Sequence, residues 1–249
     1  MTAGAAAEQP RRCVVLGGSG TVGRALVAEL ARAGAHVAFT YRQGREIAEE
    51  LTRVFPGVTA LEVDLADPRA AAEAADVLAR RLGGVDAFAH CAVRASSIEP
   101  PAFDALEEVC LDGFAGVLAV NVTSAFAAAR SLLPHFDRGG NVVLFGSVDG
   151  IKPVRSPVPY AVSKAALAGL AISLAKPFGQ RGVRVNLIAP GVLEAGASRT
   201  LPDDLRREYL KHCGLRRLGK VEEVAALAAW LSLENTYVTG QTLVVDGGL

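Results

Sequence analysis

The chain has 249 residues, 51% of them hydrophobic and 26 of them glycine, which suits one α/β domain with a large core. Its 26 Lys and Arg balance 26 Asp and Glu without any basic run, so nucleic-acid binding has no electrostatic support. Apolar runs are short and broken by charge or glycine, which predicts no membrane-spanning helix.

The first segment, MTAGAAAEQPRR, has no strong apolar centre and carries its positive charge late. Residues 1–10 therefore read as a loose tail and not a signal peptide, with one domain over 11–249. Cys13, Cys91, Cys110 and Cys213 are scattered, without CxxC or metal-ligand spacing. No metal site is expected, and free thiols in a reducing cytoplasm are the simplest account.

Cys13 to Leu16 reads as a strand, followed by GGSGTVG and the amphipathic helix RALVAELARAG, closed by Gly34. Strand, glycine-rich turn and helix is the order that cradles a phosphate at a helix N-terminus. The glycines fit either GxGxxG (Gly18, Gly20, Gly23) or GxxGxxG (Gly17, Gly20, Gly23). A second strand, His36 to Thr40, leads into Tyr41 and Arg42. Folds that use NAD usually place an acid here for the ribose hydroxyl. Arg42 instead suits a 2′-phosphate, which favours NADP; its alternative is a solvated loop charge.

Val58 to Val63 reads as a third strand, ending at Asp64 and Leu65. Asp67 as N-cap and Pro68 at the first helical position start a helix that runs to Leu82. Val85 to His90 is a fourth strand, followed by Cys91, Ala92 and Val93 and a Pro-containing loop, Ser97 to Ala102. His90 reads as a packed, hydrogen-bonded histidine at a strand end, with a proton donor as the alternative. The next long helix, Gly113 to Leu133, is apolar nearly all round and so predicted buried, in part against another subunit. Asn121 lies inside it, and a buried amide needs partners; it is either a structural knot or a site residue.

Asn141 to Phe145 reads as a buried strand, followed by Ser147, a proline-rich loop and a helix carrying Tyr160 and Lys164. Residues four apart share a helix face, so a nearby ammonium is expected to lower the phenol pKa and tune it as a general acid/base. A Tyr four residues before a Lys is also an ordinary surface pair. Val183 to Ile188 is a sixth strand, ending in Ala189-Pro190-Gly191. The polar stretch Val192 to Lys220, with a short helix at Pro202 to His212, suits a substrate lid. A helix at Val221 to Leu233 and a strand at Gln241 to Val245 complete an open, mostly parallel sheet with helices on both faces. Gly17, Arg42, Asp64, Cys91, Ser147 and Pro190 all follow strands, where such sheets bind ligands.

The segments GGSGTVG, VDAFAH, VNVTSAF, YAVSK and VRVNLIAPG, with Asp64, Ser147 and RLGKVEEVAALAAWLSLENTYVTGQTLVVDGG, resemble the short-chain dehydrogenase/reductase family along nearly the whole chain. Within it the chain is most similar to the 3-oxoacyl-(acyl-carrier-protein) reductases. The resemblance implies a Rossmann-type, doubly wound, seven-stranded sheet and an NADP(H)-dependent oxidoreductase. It makes Tyr160 the proton donor to a carbonyl oxygen. Lys164 would lower the Tyr160 pKa and hold the nicotinamide ribose, Ser147 would orient the carbonyl, and Asn121 would fix a water. Gly17, Ser19, Gly20, Thr21 and Val22 would line the pyrophosphate. Arg42 would meet the ribose phosphate, and Asp64 with Leu65 the adenine. Cys91 and Ala92 would back the cofactor, with Pro190 and Leu193 near the nicotinamide.

Arg138 and Arg181 fall at positions similar to the docking arginines for an acyl carrier protein, and Arg199, Arg206, Arg207, Arg216 and Arg217 make the lid region basic. Family members commonly pair the helices near Gly113 to Leu133 and Val158 to Gly179, implying a homotetramer or homodimer. Departures from the family pattern are His90-Cys91-Ala92-Val93 where Asn-Asn-Ala-Gly is usual, Thr21 and Leu16 in the glycine motif, and Ala195 in place of a threonine. They imply a divergent member with altered cofactor affinity, acting on a thioester or on another carbonyl substrate. A non-catalytic dinucleotide-binding scaffold is the rival of another class.

Overall fold

The strands are β1 (Arg12–Leu16), β2 (His36–Tyr41), β3 (Val58–Glu62), β4 (Ala87–His90), β5 (Gly140–Phe145), β6 (Val183–Pro190) and β7 (Thr242–Val245). The computed structural model describes residues 9–95, 106–196, 198 and 201–249. The sheet order is β3-β2-β1-β4-β5-β6-β7, and every neighbouring pair is parallel. The order reverses between β1 and β4, so a crevice opens beyond their C-terminal ends.

Strand alternation builds two cores. Val14 and Leu16 of β1 point to the side holding Phe88, Leu132, Leu144 and Phe178. Cys13 and Val15 point to the other, with Phe39, Leu26, Leu30 and Leu231. Each large side chain fully removed from water contributes about 1.5–3 kcal/mol. The first core is roofed by α3 (Pro68–Leu82), α5 (Ser124–Leu132) and α6 (Val158–Gly179), and the second by α1 (Thr21–Arg32), α2 (Arg45–Val54) and α8 (Val221–Leu233). Asp67 caps α3 as expected, its carboxylate accepting from Arg69 N at 2.8 Å.

Three differences from the sequence expectations have physical causes. The helix expected over 113–133 is α4 (Leu111–Leu118), a π-helical turn at Ala119–Thr123, and α5. It is not buried all round, because Leu111 is 86% and Phe126 40% exposed. α2 was not anticipated; its charges hide a short apolar seam in which Ala48 and Leu51 are buried. Two helices, Leu111–His135 and Val158–Gly179, are long and apolar enough by length and composition to cross a membrane, with mean hydropathy 1.4 and 1.5. Their inner faces lie on the sheet, and their apolar outer faces raise the mean. The expected loop Ser97 to Ala102 lies outside the described residues, as do 1–8 of the tail.

At the N-terminal end of the sheet, Asp86 is 2% exposed and accepts from Arg12 N at 2.8 Å, from Arg12 Nε at 3.0 Å and from Arg138 at 3.1 Å. Burial alone would raise this carboxyl, but the bonds from Arg12 outweigh it and hold it below its ordinary value. Both guanidiniums keep contact with water, so Asp86→Ala should cost about 2–3 kcal/mol, somewhat less than breaking a fully buried pair. Because the folded carboxyl is the stronger acid, that contribution is present above the unfolded value of ~3.9 and vanishes as pH falls through the folded one. Urea unfolding at neutral and acid pH should show the wild-type advantage at neutral pH alone.

Candidate active site

The glycine turn follows β1 at the switch point. Gly17 has φ +78°, and a Cβ there would stand 2.6 Å from the Ala92 backbone, so the turn and the chain after β4 touch as only glycine permits. Buried Thr40 of β2 fixes the turn, its hydroxyl accepting from Gly17 N at 3.0 Å and its carbonyl from Gly18 N at 2.8 Å. Ser19 Oγ donates to Gln43 O at 2.7 Å, and the Thr21 side chain lies against Gly196 of the chain after β6. Gly20 caps α1 without a side chain, and the first turn carries no acid. Helical N–H groups in such a turn want an anion, which fits a dinucleotide pyrophosphate.

Farther along, Arg42 and Asp64 face each other at 3.6 Å, both more than half exposed. Asp64 also accepts from Ala66 N at 2.9 Å, while Leu65 turns its side chain into the core. Arg45, which the sequence reading passed over, stacks on Tyr41 and pairs with Glu62 beside the same strand ends. Pro190 is buried at the end of β6, and Leu193 bridges to Gly219.

The proton-transfer candidates meet beyond β5. Ser147 leads into a single 3-10 turn, Val148–Gly150. A Cβ on Gly150 would stand 2.5 Å from Ala165 N, so its absence lets this turn lie directly on α6. Lys164 is 4% exposed and donates to Phe145 O at 2.7 Å, with Nζ 5.4 Å from the centre of the Tyr160 ring. Burial lowers its pKa to about 8, against the pull of Asp149. Ser147 Oγ donates to Asp149, an acid unnoticed in the sequence although SVDG places it two residues after Ser147.

One expectation is corrected by this arrangement. The Tyr160 pKa is not lowered: burial and then the Asp149 charge push it well above the usual phenol value, against the Ser147 hydrogen bond. The Lys164 ammonium is committed to the Phe145 carbonyl. Asn121 has the partners that a buried amide needs. Its Oδ1 accepts from Arg94 N at 2.7 Å, and its Nδ2 donates to Arg94 O at 3.1 Å and to Ser163 Oγ at 2.9 Å. The side chain thereby ties the segment after β4 to α6.

His90 is a packed histidine. Its Nε2 lies 2.8 Å from Ser124 Oγ, and burial followed by the Lys164 charge lowers its pKa to about 3. The Cys91 thiol is pushed up by burial, which leaves it unreactive. Arg138 and Arg181 are not at the crevice. They precede β5 and β6, a strand length of about 20 Å from the ends that carry Ser147 and Pro190, and Arg138 is taken up by Asp86.

A family model described as enoyl-(acyl carrier protein) reductase matches residues 18–249. The chain belongs to the short-chain dehydrogenase/reductase family. It is 31% identical over 236 residues to the cyclic-di-GMP-binding biofilm dispersal mediator protein of Escherichia coli, covering 94% of each chain. It is 29% identical to a 3-oxoacyl-(acyl-carrier-protein) reductase of Chlamydia pneumoniae, covering 96% of each. Among solved structures, a short-chain dehydrogenase/reductase from Serratia marcescens matches with TM-score 0.87 at 31% identity, over 96% of this chain and 98% of that one. A short-chain dehydrogenase from Burkholderia cenocepacia in complex with NADP matches with TM-score 0.86 at 30% identity, over 96% and 97%. The protein is thus an oxidoreductase with the family's fold.

Burying the Lys164 ammonium costs the fold stability. Lys164→Met should therefore resist urea better at neutral pH by about 1–2 kcal/mol, the remainder being offset by the loss of a counter-charge to Asp149. The folded pKa is the lower one, so the gain is full below about pH 8 and fades as pH rises toward the unfolded ~10.4. A less stable variant would show that the buried charge is fully compensated.

Proposed function

We propose that this protein reduces the carbonyl of a 3-oxoacyl thioester to the 3-hydroxyacyl thioester, with NADPH as coenzyme. The observation that carries the reading is the cluster of Ser147, Tyr160 and Lys164 on the same sheet edge as an uncapped helix N-terminus. NADPH would lie along the glycine turn, with Arg42 and Arg45 beside its ribose phosphate, and supplies the hydride when bound. Tyr160 donates its proton to the carbonyl oxygen, Ser147 orients that oxygen, and Lys164 holds the ribose once its ammonium leaves Phe145. The NADP-bound relative of equal fold and the 3-oxoacyl reductase relative support coenzyme and substrate respectively.

The lid arginines add some support for an anionic thioester. Arg217 is held by Glu223 and Arg216 by the Lys211 carbonyl, whereas Arg206 keeps a buried Nε without a hydrogen-bond partner. Arg199 lies outside the described residues. The lid is seated, with Tyr209 donating to Asp246 O at 2.8 Å. If an acyl carrier protein delivers the substrate, Arg138 and Arg181 do not guide it into the crevice of their own chain. An alcohol, sugar, steroid or polyketide ketone would use the same chemistry. The Escherichia coli relative is named for binding, but a pure binding module has no use for a proton donor. Four free cysteines suit residence in the cytoplasm.

NADPH absorbance should fall on mixing with acetoacetyl thioesters of coenzyme A or carrier protein, faster than with NADH. Tyr160→Phe should lose about 10² to 10⁴ in rate while NADPH fluorescence still reports binding. Turnover that survives this change would remove Tyr160 as the acid.

We also propose that the bare apolar faces are covered by further copies of the chain. Phe126 on α5 and Val158, Val162 and Ile172 on α6 are exposed, with Ile172 at 63%. Light scattering at micromolar concentration should give four copies, or two; a monomer would remove this reading.

A further inference from the structure

Lys152 and Asp246 form an ion pair that the roles above leave unused. Lys152 Nζ lies 2.6 Å from Asp246 Oδ2, with the lysine side chain 31% and the aspartate side chain 9% exposed, and it also donates to the Leu249 carbonyl. Gly248 N donates to the other carboxylate oxygen of Asp246 at 2.9 Å. Burial alone would raise this carboxyl, but the bonds outweigh it and hold it below its ordinary value, so it stays charged at neutral pH.

Each partner is fixed to a different part of the site. Lys152 N donates to Val148 O at 2.8 Å, and Gly150 N to Ser147 O at 3.1 Å, so Lys152 belongs to the turn that begins at Ser147. Asp246 carries the lid. Its carbonyl accepts from the Tyr209 phenol of α7 (Asp203–His212) at 2.8 Å. The next two carbonyls hold the chain that leaves α7, Gly247 O accepting from Leu215 N at 2.9 Å and Gly248 O from Gly214 N at 3.2 Å. A Cβ on Gly191 would stand 2.9 Å from Asp246 Cα and collide with the Tyr209 hydroxyl, so its absence seats this junction against the end of β6. At the start of α7, Asp204 faces Arg155 at 3.7 Å, but both side chains are well exposed and such a pair holds weakly.

We propose that Lys152 and Asp246 are positioning residues that lock the lid to the Ser147 turn, so that a shift of α7 is felt at the Ser147 hydroxyl. A lid that only covered the substrate would act on binding alone. Coupled in this way, its position also enters the step in which Ser147 orients the carbonyl, and a misplaced orienting group slows the reaction. That kinetic consequence rests on the proposed ketoreduction; the mechanical link does not.

Hydrogen exchange followed by mass spectrometry reads the link with no substrate present. Tyr209→Phe removes one phenol bond on the lid. It should speed exchange in α7 and also at the amides of Gly150, Ile151 and Lys152, which are hydrogen-bonded within the turn on the far side of Asp246. Lys152→Met should do the converse and speed exchange in α7, while Lys152→Arg, which keeps the charge, should stay near wild type. With acetoacetyl-coenzyme A and NADPH, Tyr209→Phe and Lys152→Met should each lower kcat by about three- to tenfold besides any rise in KM, and the double variant should lose little more than the worse single one. Lys152→Arg should keep most of kcat. Exchange that quickens only in the element carrying the substitution overturns the proposal, as does a change in KM alone or a multiplied loss in the double variant. If the wild type turns over no acetoacetyl thioester, the proposed function falls, and the exchange pattern still decides the link.

Discussion

A buried ammonium is costly to keep charged, and the arrangement of the candidate site answers it. Lys164 lies on a helix packed against the sheet, out of water, with the Phe145 carbonyl as its close partner. An interior charge needs compensation. It is found at a strand end, where β5 runs out and its last carbonyl is no longer used by a neighbour, and in the carboxylate of Asp149 on the turn that follows. Gly150 lets that turn lie against α6. The chain reversal after β5 thus brings a carbonyl, a hydroxyl and a carboxylate to the face of α6 that carries Lys164.

The sheet places the second half of the site. Parallel strands all end on the same side, so every strand-end residue faces one edge, and reversal of strand order between β1 and β4 opens that edge. Gly17 and Ala92 meet across the opening at a distance only a missing side chain allows. Asn121 then fastens Arg94, just beyond Ala92, to Ser163 on α6. Through these contacts the nucleotide turn and the proton-transfer cluster share one rigid wall. A change to the wall, such as the histidine and cysteine at 90 and 91, is absorbed by packing: His90 is neutral and bonded to Ser124.

Polarity divides the two ends of the molecule. Arg138 and the Arg12–Asp86 pair close the N-terminal end of the sheet. The candidate active site lies at the other end, so a basic residue near a strand in sequence reaches the crevice only if it follows that strand. Arg42 and Arg45 follow β2; Arg138 and Arg181 precede β5 and β6.

The order of strands and helices, the glycine turn, the α3 cap and the set Ser147, Tyr160 and Lys164 were legible in the sequence, because each is written in local signals: apolar periodicity, glycine spacing, an Asp-Pro start and an i, i+4 pair. The family's motifs extended that reading to the coenzyme site. Only the folded chain decided what the groups do to one another. The sequence suggests that Lys164 acidifies Tyr160, but burial and Asp149 act the other way, and neither is visible in an i, i+4 spacing. Asn121 is a clamp because residues 27 positions before it and 42 after it come within hydrogen-bond reach. Local signals set elements; desolvation and long-range partners set charge states, and those exist only once the sheet has brought distant strand ends together.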